Sequence, residues 1–216
     1  MAKIVDKLKE FTGDDVFTRV PNLVSDAING ATSEVANMLP VELLLKYAGA
    51  PVEMTAATSS LDGKKALLVQ REDSTNTRRP VAEVNPIDFE NAKDSTSMYE
   101  ATDLTPVYTI HYSGSSSMIE VTPSPSGTDK GYLYTYTYPT TTWTSSSSET
   151  SFPGIPKELE QAVLLRAAIL IMQAYISAAV QSDEDTEMLT MLSTQAQTLQ
   201  AQYQQEITPF VKGMGD

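Results

Sequence analysis

The residue types that do chemistry are thin in this chain. The single histidine, His111, sits inside the β-prone run Val107 to Tyr112 (VYTIHY), with no seryl nucleophile motif beside it. A sheet position suits it better than a general base. The acids Asp183, Glu184, Asp185 and Glu187 stand close together, but consecutive acids at a helix start point in different directions and lack the spaced oxygen ligands of a calcium loop. They read as a solvated face matched to the helix dipole. There is no cysteine, so disulfides and thiolate metal sites are excluded, and one histidine cannot build a nitrogen-rich metal site. Neither GxGxxG nor GxxxxGK[ST] occurs, which removes the common phosphate cradles. No cofactor, no metal and no catalytic residue is expected.

Two aromatic features invite a binding reading. Tyr132, Tyr134, Tyr136 and Tyr138 alternate along one strand and would share a face, as a stripe for a sugar or a base would. A half-buried sheet face selects the same residues, with the ring dry and the hydroxyl wet. The only tryptophan, Trp143, lies in the low-complexity run Thr140 to Ser151, expected to be a mobile connector. So large a ring is costly to leave in water; it either folds back on its own sheet or anchors in a neighbour.

The most informative charge is Arg166, within AVLLRAAILIM. A buried unpaired charge is strongly unfavourable, so Arg166 must reach a carboxylate of its own chain or project at a subunit boundary. Arg78 and Arg79 lie in a polar loop and read as surface residues.

The elements that carry these residues follow from periodicity. Apolar residues at Val20, Leu23, Val24, Ala27, Ile28, Ala31, Val35 and Met38 predict a helix over Pro21 to Met38, with Pro21 in the first turn and Pro40 ending it. A short helix follows over Val41 to Tyr47. Ala66 to Arg71 and Pro80 to Asn85 read as a loose hairpin around EDSTNTRR, and Asn85-Pro86 as the cap and first residue of a brief helix through Lys93. Val107 to Tyr112, Met118 to Thr122 and Tyr132 to Tyr138 read as a three-strand meander.

Two helices close the chain. Residues 156 to 181 are apolar on nearly every side, so several neighbours or other copies of the chain must cover them. Residues 183 to 207, capped by Ser182, carry a narrow seam of Met188, Leu192, Ala196, Leu199, Tyr203 and Ile207. Between seam members lie Gln197, Gln200 and Gln204 among other glutamines, a face that can lie on another copy without charge repulsion. Pro209 is expected to end this helix, leaving 208 to 216 as an extended tail in which Phe210 and Val211 have nothing local to bury them. Trp143, Arg166, Gln197, Gln200, Gln204, Phe210 and Val211 are therefore the expected oligomer or partner contacts.

Fifteen basic against 28 acidic residues give a formal net charge of -13, which argues against a grip on nucleic-acid phosphates. The start, MAKIVDKLKEF, lacks the apolar core of a signal peptide. The run Ala162 to Val180 is broken by Arg166, Gln173 and Ser177 and reads as core, not a membrane span. The expectation is an α+β fold, a helical bundle built from N-terminal and C-terminal helices with an inserted antiparallel β meander. Residues 1–155 would hold the N-terminal helices and the β insertion, and 156–207 the helical pair packing on those helices.

Taken in order, the parts VANMLP (35 to 40), TPVYTIHY (105 to 112) followed by MIEVTPSPSG, the strand ending in YTYP, and FPGIPKELEQAVLLRAAILIM resemble the head-to-tail connector (adaptor) proteins of tailed bacteriophages. The serine-rich stretch 144 to 151 and the N-terminal extension depart from the shorter family pattern. The resemblance implies a structural virion protein of the neck, assembled in the host cytoplasm. It further implies a homo-oligomeric, usually dodecameric ring beneath the portal protein, in contact with tail or neck proteins and passing genomic DNA without binding it. Two other readings stay open: a tail terminator or head-decoration protein, and a carbohydrate- or peptide-binding module using the tyrosine strand.

Overall fold

The computed structural model describes residues 3–13, 20–181 and 186–212. The chain divides into two compact units: residues 1–40 with 138–216, and the insertion 41–137. Helices fill the first and strands the second, so the fold is α+β.

The helical unit is built on α1 (Ile4–Thr12), α2 (Pro21–Met38), α5 (Glu160–Gln181) and α6 (Thr186–Lys212). In α2, Val24, Ala27, Ile28, Ala31, Val35 and Ala36 are buried, spaced to fall on one face. Pro21 occupies its first turn, and Leu39, forced extended by the following Pro40, ends it at φ -78°, ψ 143°. A 3₁₀ turn over Lys157–Leu159 leads into α5, which packs against α1, α2 and α6. That explains the all-round greasiness of its first turns: Val163, Leu164, Leu165, Ala167, Ala168, Ile169, Ile171 and Met172 are all buried. Three helices of the same chain cover them. The stretch Lys157–Ala178 is long and apolar enough to cross a membrane, but half of it is already packed inside this unit.

One element was not foreseen from the sequence, and one expectation needs correction. The charged start is a helix, because Ile4, Val5 and Leu8 share a buried face while Lys7, Lys9 and Glu10 fall outside it. Pro209 does not end α6, which runs on to Lys212, so residues 208–212 are helical where an extended tail was expected. A proline removes its own N–H bond to the preceding turn and crowds the carbonyl four residues back, a strain that the last turn of a helix can absorb because few bonds follow it. The Thr208 hydroxyl also bonds back to the Gln204 carbonyl. Ser182 and the acids 183–185 lie outside the described residues.

The inserted unit opens with α3 (Val41–Leu45) and contains β1 (Val52–Met54), β2 (Thr58–Ser60), β3 (Lys64–Glu72), β4 (Arg78–Pro80), β5 (Ala82–Glu83), α4 (Pro86–Lys93), β6 (Val107–Ser113), β7 (Ser116–Thr122) and β8 (Gly131–Thr137). They form two four-stranded sheets, β1-β8-β3-β4 and β2-β7-β6-β5. Met54, Val69 and Leu133 from the first and Ile119 and Val121 from the second share one core with Leu61 and Val81. The expected meander is therefore wrong at its last step. Strands β6 and β7 do form a hairpin, but β8 crosses to the other sheet and pairs with β3 and β1. The predicted partner of β3 also shrinks: only Arg78–Pro80 pairs with it, and Ala82–Glu83 runs parallel to β6.

Local chemistry fixes the turns. Asn85 caps α4, accepting from the Asp88 N–H at 2.9 Å and donating to its carboxylate at 2.6 Å. At the β3–β4 turn, one Asp73 carboxylate oxygen accepts from the Thr75 hydroxyl (2.6 Å), the Thr75 N–H (2.9 Å) and the Thr77 N–H (3.0 Å). Its other oxygen meets Arg79 Nε at 2.8 Å. These donors, the Thr75 hydroxyl first, hold the Asp73 carboxyl well below the usual carboxylate range. A carboxyl depressed in the folded state adds stability that is complete above its unfolded pKa of about 3.9 and is lost as pH falls below it. Between about pH 5 and pH 2, the denaturation midpoint of the native protein should thus fall further than that of Asp73→Asn, which has no such proton to take up. Parallel urea titrations of the two proteins across that range provide the check.

Gly131, at the start of β8, has no room for a side chain. A Cβ there would stand 3.0 Å from Pro125 Cγ and 3.1 Å from Met54 Cβ. Gly131→Ala is expected to destabilise the fold by about 1–3 kcal/mol through overpacking, read as a lowered chemical-denaturation midpoint.

Candidate functional site

The serine-rich segment before α5 is the first place where structure changes the functional reading. Trp143 is only 3% exposed, covered by a helix of its own unit. It docks on α2. Its backbone N–H donates to Ser25 Oγ at 2.9 Å, that hydroxyl donates back to the Trp143 carbonyl at 3.1 Å, and the indole N–H reaches Asn29 Oδ1 at 3.4 Å. Asn29 in turn donates to the Thr141 carbonyl at 2.9 Å, and the Phe152 ring lies 5.8 Å from the indole. The N–H of Ile4 closes the strap on Glu149 at 3.0 Å. Residues 139–152 are thus a pinned strap, not a mobile connector, and Trp143 is a fastener within the subunit.

Arg166 resolves to its own chain. Its guanidinium pairs with Glu34 on α2, with the Tyr203 ring of α6 at 6.0 Å. One ion pair and one aromatic face thereby tie α5 to both neighbours. Burial raises the Tyr203 phenol above its ordinary pKa, with the Arg166 charge opposing. Its hydroxyl meets Met38 Sδ at 3.5 Å.

The outer face of α6 keeps the character its sequence suggests. Leu199, Tyr203 and Ile207 are buried in the seam, while Gln197 and Gln204 are exposed and Gln200 is half-buried. Phe210 is half-buried and Val211 exposed on the last turn of the helix. Further up the same hairpin the cover thins. From Gln173 onward α5 is less fully covered: Ala174, Tyr175 and Ile176 are half-buried, and Val180 is 62% exposed. On α6, Met191 is 69% exposed. The signal for Val180 was present, since it closes the greasy run that begins at Ala162, whereas Met191 lies beside the expected seam and nothing in the pattern singles it out.

The remaining candidates are structural. His111 stands on β6 with Nδ1 4.0 Å from Glu120, whose carboxylate is already held by Lys93 at 2.7 Å. That bond outweighs the opposing effect of burial and raises the Lys93 ammonium above its ordinary pKa. The tyrosine strand is spent on packing. Tyr132 and Tyr136 are buried, Tyr132 donates to Glu72 at 2.8 Å beneath the Arg78 guanidinium, and Tyr138 donates to Asn37 at 2.7 Å. Among the described residues, no three histidine, aspartate or glutamate side chains gather as a metal site.

What these surfaces offer is contact: a helical hairpin with a neutral amide face and uncovered apolar residues, on a tightly fastened subunit. This is the build of a structural assembly protein. The chain belongs to the SU10 adaptor protein family, whose model matches residues 1–211. It is accordingly a bacteriophage adaptor, a structural protein of the virion that works in association with portal and tail proteins. No curated protein matches the chain.

Proposed function

We propose that the chain is a head-to-tail connector that assembles, with copies of itself, into a dodecameric ring beneath the portal protein in the virion neck. Assembly takes place in the host cytoplasm. The carrying observation is the α5–α6 hairpin, where Val180 and Met191 stand exposed beside a glutamine face. A chain of net charge -13 repels its own copies at most surfaces, so a neutral, partly apolar face is where copies can meet. Arg166, paired with Glu34 but not fully covered, would sit near that boundary. The same net acidity suits a channel for genomic DNA, because a negative wall does not hold phosphates.

The mass of the purified chain, alone and after mixing with a portal ring, tests the reading. A closed ring of copies on the portal is expected. A chain that remains a monomer in both samples would overturn it. The last turn of α6 contributes through Phe210 and Val211. Deleting Thr208 to Asp216 should weaken incorporation into particles while leaving the melting transition of the subunit in place, since the buried seam ends at Ile207.

A further inference from the structure

The inserted unit carries a concave surface of its own, lined by none of the hairpin residues on which the proposed ring contact rests. A groove of about 630 Å³ is lined by Val84, Ala92, Ala101 and Val107, with Met98 and Tyr99 on its rim. That volume falls in the range of built binding clefts, about 300–1,000 Å³. Met98 is 96% exposed and Tyr99 76%, with Ile87 and Leu104 also exposed nearby in sequence. Single exposed apolar residues are ordinary, but two adjacent ones on the rim of an apolar-lined groove form a continuous surface that a partner can cover.

The loop that presents them is built, not slack. The Asp94 carboxylate accepts from the Thr96 N–H at 2.8 Å and the Thr96 hydroxyl at 2.7 Å, and Ser97 Oγ accepts from the Tyr99 N–H at 3.1 Å. The Ala101 N–H donates to the Ala92 carbonyl at 2.9 Å. Arg71, itself buried, reaches out to Asp103 at 2.8 Å and ties the loop to β3. Met98 and Tyr99 are therefore held outward before any partner arrives, which lowers the ordering cost of binding.

Charge says what the partner is. Between residues 83 and 103 stand six acids, Glu83, Asp88, Glu90, Asp94, Glu100 and Asp103, against one base, Lys93. That lysine is committed to Glu90 and Glu120. Asp88 and Glu100 line the groove itself. A second copy of so acidic a chain would meet repulsion here, as would an anionic lipid surface or nucleic acid. We infer that this groove docks a segment of a different protein, one that presents an apolar or aromatic side chain flanked by lysine or arginine.

The test uses the full chain and two dye-labelled peptides, Lys-Lys-Leu-Trp-Phe-Lys-Arg and its acidic twin Glu-Glu-Leu-Trp-Phe-Glu-Asp, in a fluorescence-anisotropy titration at moderate salt. The basic peptide should bind at least about tenfold more tightly than the twin, and Tyr99→Ser and Glu100→Lys should each weaken it about tenfold. Glu206→Lys, an exposed charge reversal on α6, should leave binding unchanged. Equal binding of the two peptides, no binding of either, or equal weakening by Glu206→Lys would overturn the inference. So would native-protein self-association that Tyr99→Ser abolishes, because the occupant would then be a second copy. Ring formation on the portal is read separately by mass, so loss of one proposal leaves the other standing.

Discussion

Replacing Trp143 by alanine is expected to cost the subunit about 3–5 kcal/mol, the range for removing a buried large aromatic. The indole is enclosed on the helical unit, and its loss empties the space between α2 and Phe152. It also removes the indole N–H partner of Asn29 Oδ1. The backbone bonds through Ser25 would remain possible, but they lose the side chain that seats them. The strap should then open between Thr144 and Ser151, where bonds such as Thr144 N–H to Ser147 Oγ, Ser147 N–H to the Thr144 carbonyl and Ile4 N–H to the Glu149 carbonyl hold the chain without a buried side chain to seat it. A lowered urea midpoint together with new proteolytic cuts in that stretch is the expected pair of results. Trp143→Phe should fall between the two, keeping most of the ring contact and losing the N–H bond. A midpoint unchanged in Trp143→Ala would mean that the strap is not part of the cooperative unit.

This strap also shows where sequence reading stops. Composition marks Thr140 to Ser151 as unable to form a core, which is true of the run taken alone. Its partners, Ser25 and Asn29, lie more than a hundred positions away, at separations of 118 and 114 residues from Trp143. Nothing local announces them. Elements whose evidence is local were legible. Pro21 and the Leu39-Pro40 step bound α2 as expected, Asn85 caps α4, and the runs around Ile110, Ile119 and Leu133 are strands. Pairing was not, because the stretch between β7 and β8 is long enough for a hairpin loop or a crossing, and the alternation within β8 is the same either way. The spacing Ile4, Val5, Leu8 did carry the α1 signal, hidden by reading the segment for targeting alone. Of the expected contact residues, Trp143 and Arg166 turn out to be engaged within the subunit. A large ring and a buried charge report that a partner exists, never which chain supplies it.

The second large effect concerns assembly, and it separates folding from contact. Among the described residues of the helical unit, Val180 and Met191 are the most exposed large apolar side chains, so aspartate at both positions disturbs little of the folded subunit. Exposed substitutions of this kind usually change stability by no more than about 0.5 kcal/mol. In an interface between copies the same carboxylates would lose their water without gaining a cation, a penalty of several kcal/mol for each ion. A ring repeats the contact at every subunit boundary, so the penalty recurs around it. The double variant Val180→Asp with Met191→Asp is therefore expected to melt with the native protein yet stay a monomer beside the portal ring. Gln197→Glu with Gln204→Glu should weaken assembly less, because those side chains add charge to a face that keeps more of its water. If the aspartate pair forms rings as the native chain does, the copies meet through some other face, and the exposed end of the hairpin is left for the portal or for a tail protein. The two outcomes differ in one mass measurement on a protein whose fold can be verified beforehand.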